Sequence, residues 1–76
     1  MGLTMKVIVE ARGISKAERV LLIESAIKKA ENRDIVVLAD DDNEKEDISH
    51  AARNHGWILR EIESHGESCR ITISKL

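Results

Sequence analysis

The sequence predicts an α/β two-layer sandwich, in which two helices cover one face of a four-stranded mixed sheet. Four short stretches are rich in residues that favour strands, and two longer stretches repeat apolar residues at helical spacing. These stretches follow one another in the order β-α-β-α-β-β. Two helices can cover only one face of a four-stranded sheet, so a two-layer arrangement is expected.

Length and composition indicate a single domain that spans residues 1–76. Apolar residues make up 42% of the chain and charged residues 34%, which is enough for a core and a solvated surface. The chain has no Phe, Tyr or Pro, and Trp57 is its one aromatic residue. The core must therefore consist of Val, Ile, Leu and Ala side chains.

The first strand and helix are separated by a short turn. Residues 5–11 form a β-rich run, and Gly13 breaks it. Ser15 is a suitable N-cap, and Glu18, three residues later, completes a capping box. A helix is therefore predicted over about residues 16–31.

Apolar residues of this helix recur at spacings of 3, 4 and 3, which describes one helical face: Val20, Ile23, Ile27 and Ala30. Leu21 and Leu22 are expected to broaden that face. Residues 32–34 end the helix. Residues 35–39 follow without polar alternation, so they predict a central strand that is covered on at least one face.

The second helix is predicted to start after the acidic run "DDDN", with Asn43 as its cap and Glu46 three residues later. Its modest apolar face has members at i, i+3, i+4 and i+7: Ile48, Ala51, Ala52 and His55. Gly56 suits the C′ position, because glycine accepts a positive φ freely.

The last two strands are predicted over residues 57–64 and 69–76, joined by a turn at 65–68. In the final strand apolar and polar side chains alternate, with Cys69, Ile71 and Ile73 on one face and Arg70, Thr72 and Ser74 on the other. The last two strands should form an antiparallel hairpin. The first two, joined through a helix, should be parallel.

Charge and hydropathy argue against several classes of partner. The net charge of −2 disfavours a nucleic-acid partner, which usually meets a basic face. The longest apolar runs, residues 20–23 and 35–39, are too short to span a membrane. The start of the sequence has no secretory apolar region, and Lys6 breaks a myristoylation signal. A single cysteine cannot form an internal disulfide, so a cytoplasmic location is expected.

Several stretches match the motifs of one known family. "RGISKAERV" has Arg12 and Gly13 in the places of an Arg-Gly-Leu-x-Cys-Pro-x-Pro turn into helix 1, with Ile14 for Leu. "LADDDNEKEDI" is similar to the turn into helix 2, Gly56 to the glycine before strand 3, and "HGESCRITISK" to the closing hairpin. From about Lys6 to Lys75 the chain thus resembles the TusA (SirA/YedF-like) sulfur-carrier family, whose members are sulfurtransferases.

The chain departs from that family at the chemical group itself. Lys16 stands where the family has its cysteine, and Ala17 and Arg19 replace the two prolines. The family's cysteine carries a persulfide, which a lysine cannot hold. The resemblance therefore implies a divergent, non-catalytic module that binds a protein partner or regulates it within a sulfur relay. Whether any enzymatic activity remains is left open, and no catalytic residue is assigned.

The turn supplies the candidate site for a partner or an anion: Arg12, Gly13, Ser15, Lys16 and Arg19. Free N–H groups at a helix N-terminus favour negative charge, and a lysine there can add to that preference. The alternative is that Lys16 is a solvated surface lysine and that Ser15 serves only as the cap.

Two alternative functions each depend on one feature of the sequence. Cys69 is either a small buried hydrophobe or a relocated sulfur carrier, which would need a thiol that solvent reaches. A nucleic-acid-binding module is the other alternative, because the chromatin protein Alba shares the general plan and its family has a similar "ARG…ISKA" stretch, although before helix 2. Arg12, Lys16 and Arg19 would then form a local basic patch.

No metal or cofactor site is expected. Asp40, Asp42 and Glu44 alternate as in a calcium loop, but Lys45 stands where that loop needs glycine and Ala51 where it needs Glu. These acids are expected to support the start of helix 2 instead. The three histidines lack ligand spacing: His50, His55 and His65. Trp57 either contacts a partner or packs over a helix end.

Overall fold

The computed structural model of the chain describes residues 6–76. Met5, predicted to begin the first strand, lies outside the described residues. Four strands and two α-helices form, with a 3₁₀ turn at Asp42–Glu44 before the second helix. The strands are β1 (Val7–Glu10), β2 (Ile35–Ala39), β3 (Trp57–His65) and β4 (Ser68–Lys75), and the helices are α1 (Lys16–Ala30) and α2 (Lys45–Arg53). The predicted order β-α-β-α-β-β is confirmed.

The four strands form one mixed sheet in the order β1-β2-β4-β3. β1 and β2 are parallel, and β4 pairs antiparallel with both β2 and β3, as the connections predict. α1 packs against β1 and β2, α2 packs against β3 and β4, and the helices contact each other. The inward side chains of the strands and the buried residues of both helices form one cluster, so the predicted two-layer sandwich is confirmed.

The core centres on β2 and β4, which occupy the middle of the sheet. Their cross-strand partners on the helix side are fully or almost fully buried: Ile35 with Ile73, Val37 with Ile71, and Ala39 with Cys69. Strand residues two apart point to the same face, so the alternation in "CRITIS" places its apolar members inward. β2 is buried on both faces, because Val36 is only 2% exposed on the other side.

A β-bulge at Arg60 changes the register of β3 partway along the strand. Leu59 pairs with Ile73 while Glu61 pairs with Thr72, so Arg60 is the extra residue. Beyond it, Ile62 returns to the inner face and packs against the core. The apolar spacing of "WILREIES", two residues and then three, is the pattern that such a bulge accommodates.

The inner face of α1 is narrower than predicted. Ile23 and Ala30 are buried, whereas Leu21 and Leu22 are 65% and 40% exposed, so the prediction that they broaden this face is wrong. Successive helical residues are rotated by about 100°, so Leu22 lies to one side of the buried stripe and Leu21 lies almost opposite Ile23.

The start of α2 differs from the prediction. Glu44, not Asn43, is the N-cap, and its side chain makes no capping hydrogen bond. The 3₁₀ turn at Asp42–Glu44 delays the helix by one residue and leaves the Asn43 side chain outside the cap. At the other end, Gly56 has the expected positive φ of 79°. It lies two residues beyond the C-cap Asn54 rather than directly after it.

Three further side chains refine the predicted core. His55 is not on the inner stripe, because α2 ends at Arg53 and the imidazole Nε2 lies 3.2 Å from Glu24 Oε2. Ser74, predicted to be solvated, is buried, and its hydroxyl donates to Asp34 Oδ1 over 2.8 Å. Trp57 is 2% exposed and belongs to the core, which confirms the packing interpretation.

Candidate functional site

The turn between β1 and α1 is built from local hydrogen bonds. The Glu18 N–H donates to Ser15 Oγ over 3.2 Å, and the Ser15 N–H donates to Glu18 Oε1 over 3.3 Å. This is the predicted capping box, with Ser15 in extended backbone as the N-cap. Gly13 has φ +72°, a conformation that side-chain-bearing residues rarely adopt, so the glycine is needed for the chain to turn here.

The turn between β2 and α2 lies beside the first, because parallel strands end at the same edge of the sheet. The Gly13 N–H donates to Asp40 Oδ2 over 2.9 Å and joins the two turns. Within the second turn the Asp40 N–H donates to Glu44 Oε1, and the Asn43 N–H donates to Asp41 Oδ1. Carboxylates thus satisfy backbone donors that are left over where the regular elements stop.

Lys16 is the first residue of α1, and its side chain is 72% exposed. Its ammonium lies 3.4 Å from Asp47 Oδ1, at the mouth of a cleft of about 330 Å³ between the helices. A pair this exposed contributes little to stability, typically about 0.2–1 kcal/mol. The ammonium is therefore presented to solvent at the point where α1 begins.

Arg19 is placed quite differently, in the interface between the helices. It is 5% exposed, and its terminal nitrogens lie 3.2 Å from Glu44 Oε2 and 3.6 Å from Asp47 Oδ2. It also donates to the Ile14 carbonyl over 3.3 Å. Its Nε is buried without a hydrogen-bond partner among the described residues. Arg19 therefore acts as a polar tie between the start of α1 and the start of α2.

The sequence contains an indication that Arg19 is buried. Arg19 extends the buried stripe of α1 backwards by one turn, since Ile23, Ala26 and Ala30 follow at spacings of four, three and four. An arginine on such a stripe needs carboxylates opposite it, and the acidic run before α2 supplies them. The prediction that Arg19 belongs to an exposed partner or anion site did not take this buried stripe into account.

Arg12, in the turn after β1, forms a pair with Glu10, the last residue of β1. Its Nε lies 2.7 Å from Glu10 Oε2, and a second nitrogen donates to Glu10 Oε1 over 2.7 Å. This two-pronged hydrogen bond lowers the pKa of Glu10 and raises the pKa of Arg12. Arg12, Lys16 and Arg19 each face carboxylates, so these three cations do not combine into one basic patch.

Cys69 lies on β4 opposite Ala39 of β2 and is 1% exposed. It belongs to the hydrophobic core, which confirms the packing interpretation. Among the side chains that the structure describes, which do not include that of Asp42, no group of three or more His, Cys, Asp or Glu is placed to hold a metal ion. Glu46 and Asp47 lie in the first turn of α2, where the helix dipole favours them.

Comparison of the chain with models of protein families and with curated proteins finds no match in either. Within residues 6–76, neither helix has the length and apolar character needed to cross a membrane.

Proposed function

We propose that the protein is a TusA-like partner-binding module of a cytoplasmic sulfur relay, non-catalytic and without the carrier cysteine. One observation carries the proposal: Lys16, in the place of the family's cysteine, is 72% exposed, while the one thiol of the chain is in the core. The chain thus retains an exposed helix start at the corresponding place and offers a charge there instead of a sulfur atom.

The proposed contact is the turn surface, which we define as Arg12, Gly13, Ser15 and Lys16. The capping box and the bond from Gly13 to Asp40 hold this surface in one conformation. A preorganised surface loses little conformational entropy on binding. Its protruding group is an ammonium, so the partner is expected to present a carboxylate or another anionic group to it.

The two alternative functions gain less support. A sulfur carrier that uses Cys69 needs a solvent-reachable thiol, and Cys69 is 1% exposed. A nucleic-acid site built on Arg12, Lys16 and Arg19 needs free cations, and in this fold Arg12 pairs with Glu10 while Arg19 pairs with Glu44 and Asp47. Binding through the turn surface remains the function that the geometry favours.

A binding titration against a purified cysteine desulfurase, the enzyme class that feeds sulfur relays, tests the proposal. We expect the native chain to bind and Lys16→Ala to bind about tenfold more weakly, equivalent to about 1.4 kcal/mol. Lys28→Ala is the matched control, because Lys28 is an exposed lysine in the last turn of the same helix. Absence of binding, or equal loss in both variants, would contradict the proposal.

A mass measurement after incubation with the desulfurase and cysteine separates binding from sulfur transfer. The native chain is expected to gain no sulfur atom, and Lys16→Cys is expected to gain one. Lys28→Cys controls for any exposed thiol, because it lies at the opposite end of α1. A persulfide on the native chain would overturn the non-catalytic assignment. Equal labelling of the two cysteine variants would show that the turn surface does not face the sulfur donor.

A further inference from the structure

β1 is an edge strand of the sheet, and within residues 6–76 no other strand pairs with the backbone groups on its outer side. The Val7 N–H donates to the Asp34 carbonyl, and the Ala11 N–H donates to the Leu38 carbonyl, both toward β2. Successive residues of a strand direct their N–H and C=O groups to opposite sides, so those of Ile8 and Glu10 point away from the sheet. Such an edge can accept another strand.

Apolar side chains lie beside this edge. Ile8 is 63% exposed, and on α1 Leu22 is 40% exposed and the neighbouring Leu21 is 65% exposed. Leu22 lines a groove between α1 and β1 together with Val7 and Val9. Ile8 points to the opposite face of β1 from Val7 and Val9, so exposed apolar side chains flank this edge strand on both faces of the sheet, as is common at an interaction surface.

The opposite edge of the sheet is protected in a way that β1 is not. β3 has a bulge at Arg60, and its solvent-facing residues beyond the bulge include Glu61 and Glu63. Bulges and charged side chains both discourage pairing with another strand. Only one of the two edges in the described sheet is thus suited to extension, which favours a closed pair over an open chain of subunits.

We infer that the occupant of the β1 edge is a second copy of this chain, paired antiparallel about a twofold axis to form a continuous eight-stranded sheet. Charge complementarity selects the copy and the register. With Ile8 opposite the other copy's Ile8, Lys6 of each copy faces Glu10 of the other, twice in the dimer. The neighbouring registers that also match outward-pointing backbone groups set Ile8 against Lys6 or Glu10 instead.

The helix beside the edge has the same complementarity. Along the groove-facing side of α1, Glu18 lies near one end and Lys29 near the other, with Leu22 and Ser25 between them. An antiparallel α1 from the second copy therefore places Glu18 near Lys29 and covers the exposed leucines. The dimer surface meets the turn surface at one point, because the Glu10 carboxylate also accepts from Arg12. Ile8→Lys leaves that pair in place, so it tests the dimer separately from the proposed function.

Sedimentation of the full chain over a concentration series tests the inference. The native chain is expected to form dimers, and Ile8→Lys is expected to raise the dimer dissociation constant at least about tenfold. Ile58→Lys is the matched control, because Ile58 is an exposed isoleucine on the opposite edge strand. A native chain that stays monomeric throughout the series would overturn the inference, as would equal weakening by both variants.

The register is tested by the charges, with thermal unfolding used to check that every variant is folded. Lys6→Glu is expected to weaken the dimer about tenfold, since two like-charge contacts form, and Lys6→Glu combined with Glu10→Lys is expected to recover most of that loss. The backbone N–H groups of Ile8 and Glu10 should also exchange with solvent more slowly as dimer accumulates. Failure of both the recovery and the protection would exclude this pairing.

Discussion

The two turns that lead from strands into helices lie side by side but are stabilised in different ways. The turn before α1 carries its own cap, in which Ser15 and Glu18 bond to each other's backbone. The turn before α2 passes through a 3₁₀ turn, and the side chain of its N-cap, Glu44, makes no capping hydrogen bond. Glu44 and Asp47, at the start of α2, pair instead with Arg19, which comes from α1.

This difference separates local from tertiary control of a helix start. The cap of α1 needs only residues within three positions of one another, so it can form as soon as α1 forms. The start of α2 has local bonds too, but the ion pairs of Glu44 and Asp47 need α1 to be in place, because Arg19 is their partner. The start of α2 is therefore expected to depend on packing, whereas the start of α1 depends on its own sequence.

The largest expected effect on the free energy of unfolding comes from removing Arg19, which links the starts of the two helices. Arg19→Met keeps much of the side-chain volume but leaves Glu44 without its cation and Asp47 with only the exposed Lys16, so we expect a loss of about 2–3 kcal/mol. The partial exposure of both carboxylates keeps the loss below that of a fully buried pair. Urea unfolding measures it.

Arg53→Met is the control for this prediction, because Arg53 is an exposed arginine at the end of α2 and should cost about 0.5 kcal/mol or less. Adding Glu44→Gln to Arg19→Met should cost less than the sum of the two single changes. An equal loss of unfolding free energy in Arg19→Met and Arg53→Met would contradict the conclusion that Arg19 stabilises the start of α2.

A smaller effect is expected from the local cap. Ser15→Ala removes the acceptor for the Glu18 N–H and should cost about 1 kcal/mol. Asn43→Ala at the corresponding place before α2 should change the free energy of unfolding by about 0.5 kcal/mol or less, because its side chain does not cap that helix. Chemical denaturation measures the free energy of unfolding of both variants. A cost for Asn43→Ala as large as that for Ser15→Ala would contradict the comparison.

The smallest expected effect concerns the pH dependence of the Glu10–Arg12 pair. The hydrogen bond from Arg12 lowers the pKa of Glu10 in the folded chain, so the unfolded chain takes up this proton first as the pH falls. The stabilisation is present above the ordinary glutamate pKa and is lost as the pH falls through the lowered value. In Arg12→Ala, a carboxyl NMR titration should show the Glu10 midpoint moving upward. An unchanged midpoint would mean that the pair does not persist in solution.

Local patterns were sufficient for most elements of the fold. The capping box, the alternation of Cys69, Ile71 and Ile73, and the apolar run at Ile35–Ala39 each describe a short segment, and each is confirmed. The predicted cap at Asn43 failed because a 3₁₀ turn occupies that place. The prediction that Leu21 and Leu22 broaden the inner face of α1 was wrong, because the width of a buried helical face depends on which elements pack against the helix.

The candidate site was predicted only in part, for the same reason. Gly13, Ser15 and Lys16 lie together at the turn as their spacing suggests, since they are neighbours in the chain. Arg19 lies in the interface between the helices, where carboxylates from another element pair with it. Its position in the stripe of Ile23 and Ala26 was visible in the sequence, but the identity of its partners was not.

The sequence by itself determined the order of the elements, the cap of α1 and the inward face of the last strand, because these follow from contacts over a few residues. The tertiary structure decided the bulge at Arg60, the start of α2 and the burial of Arg19. Each of these depends on a neighbour that is distant along the chain, and a short-range pattern carries no information about which distant groups will meet.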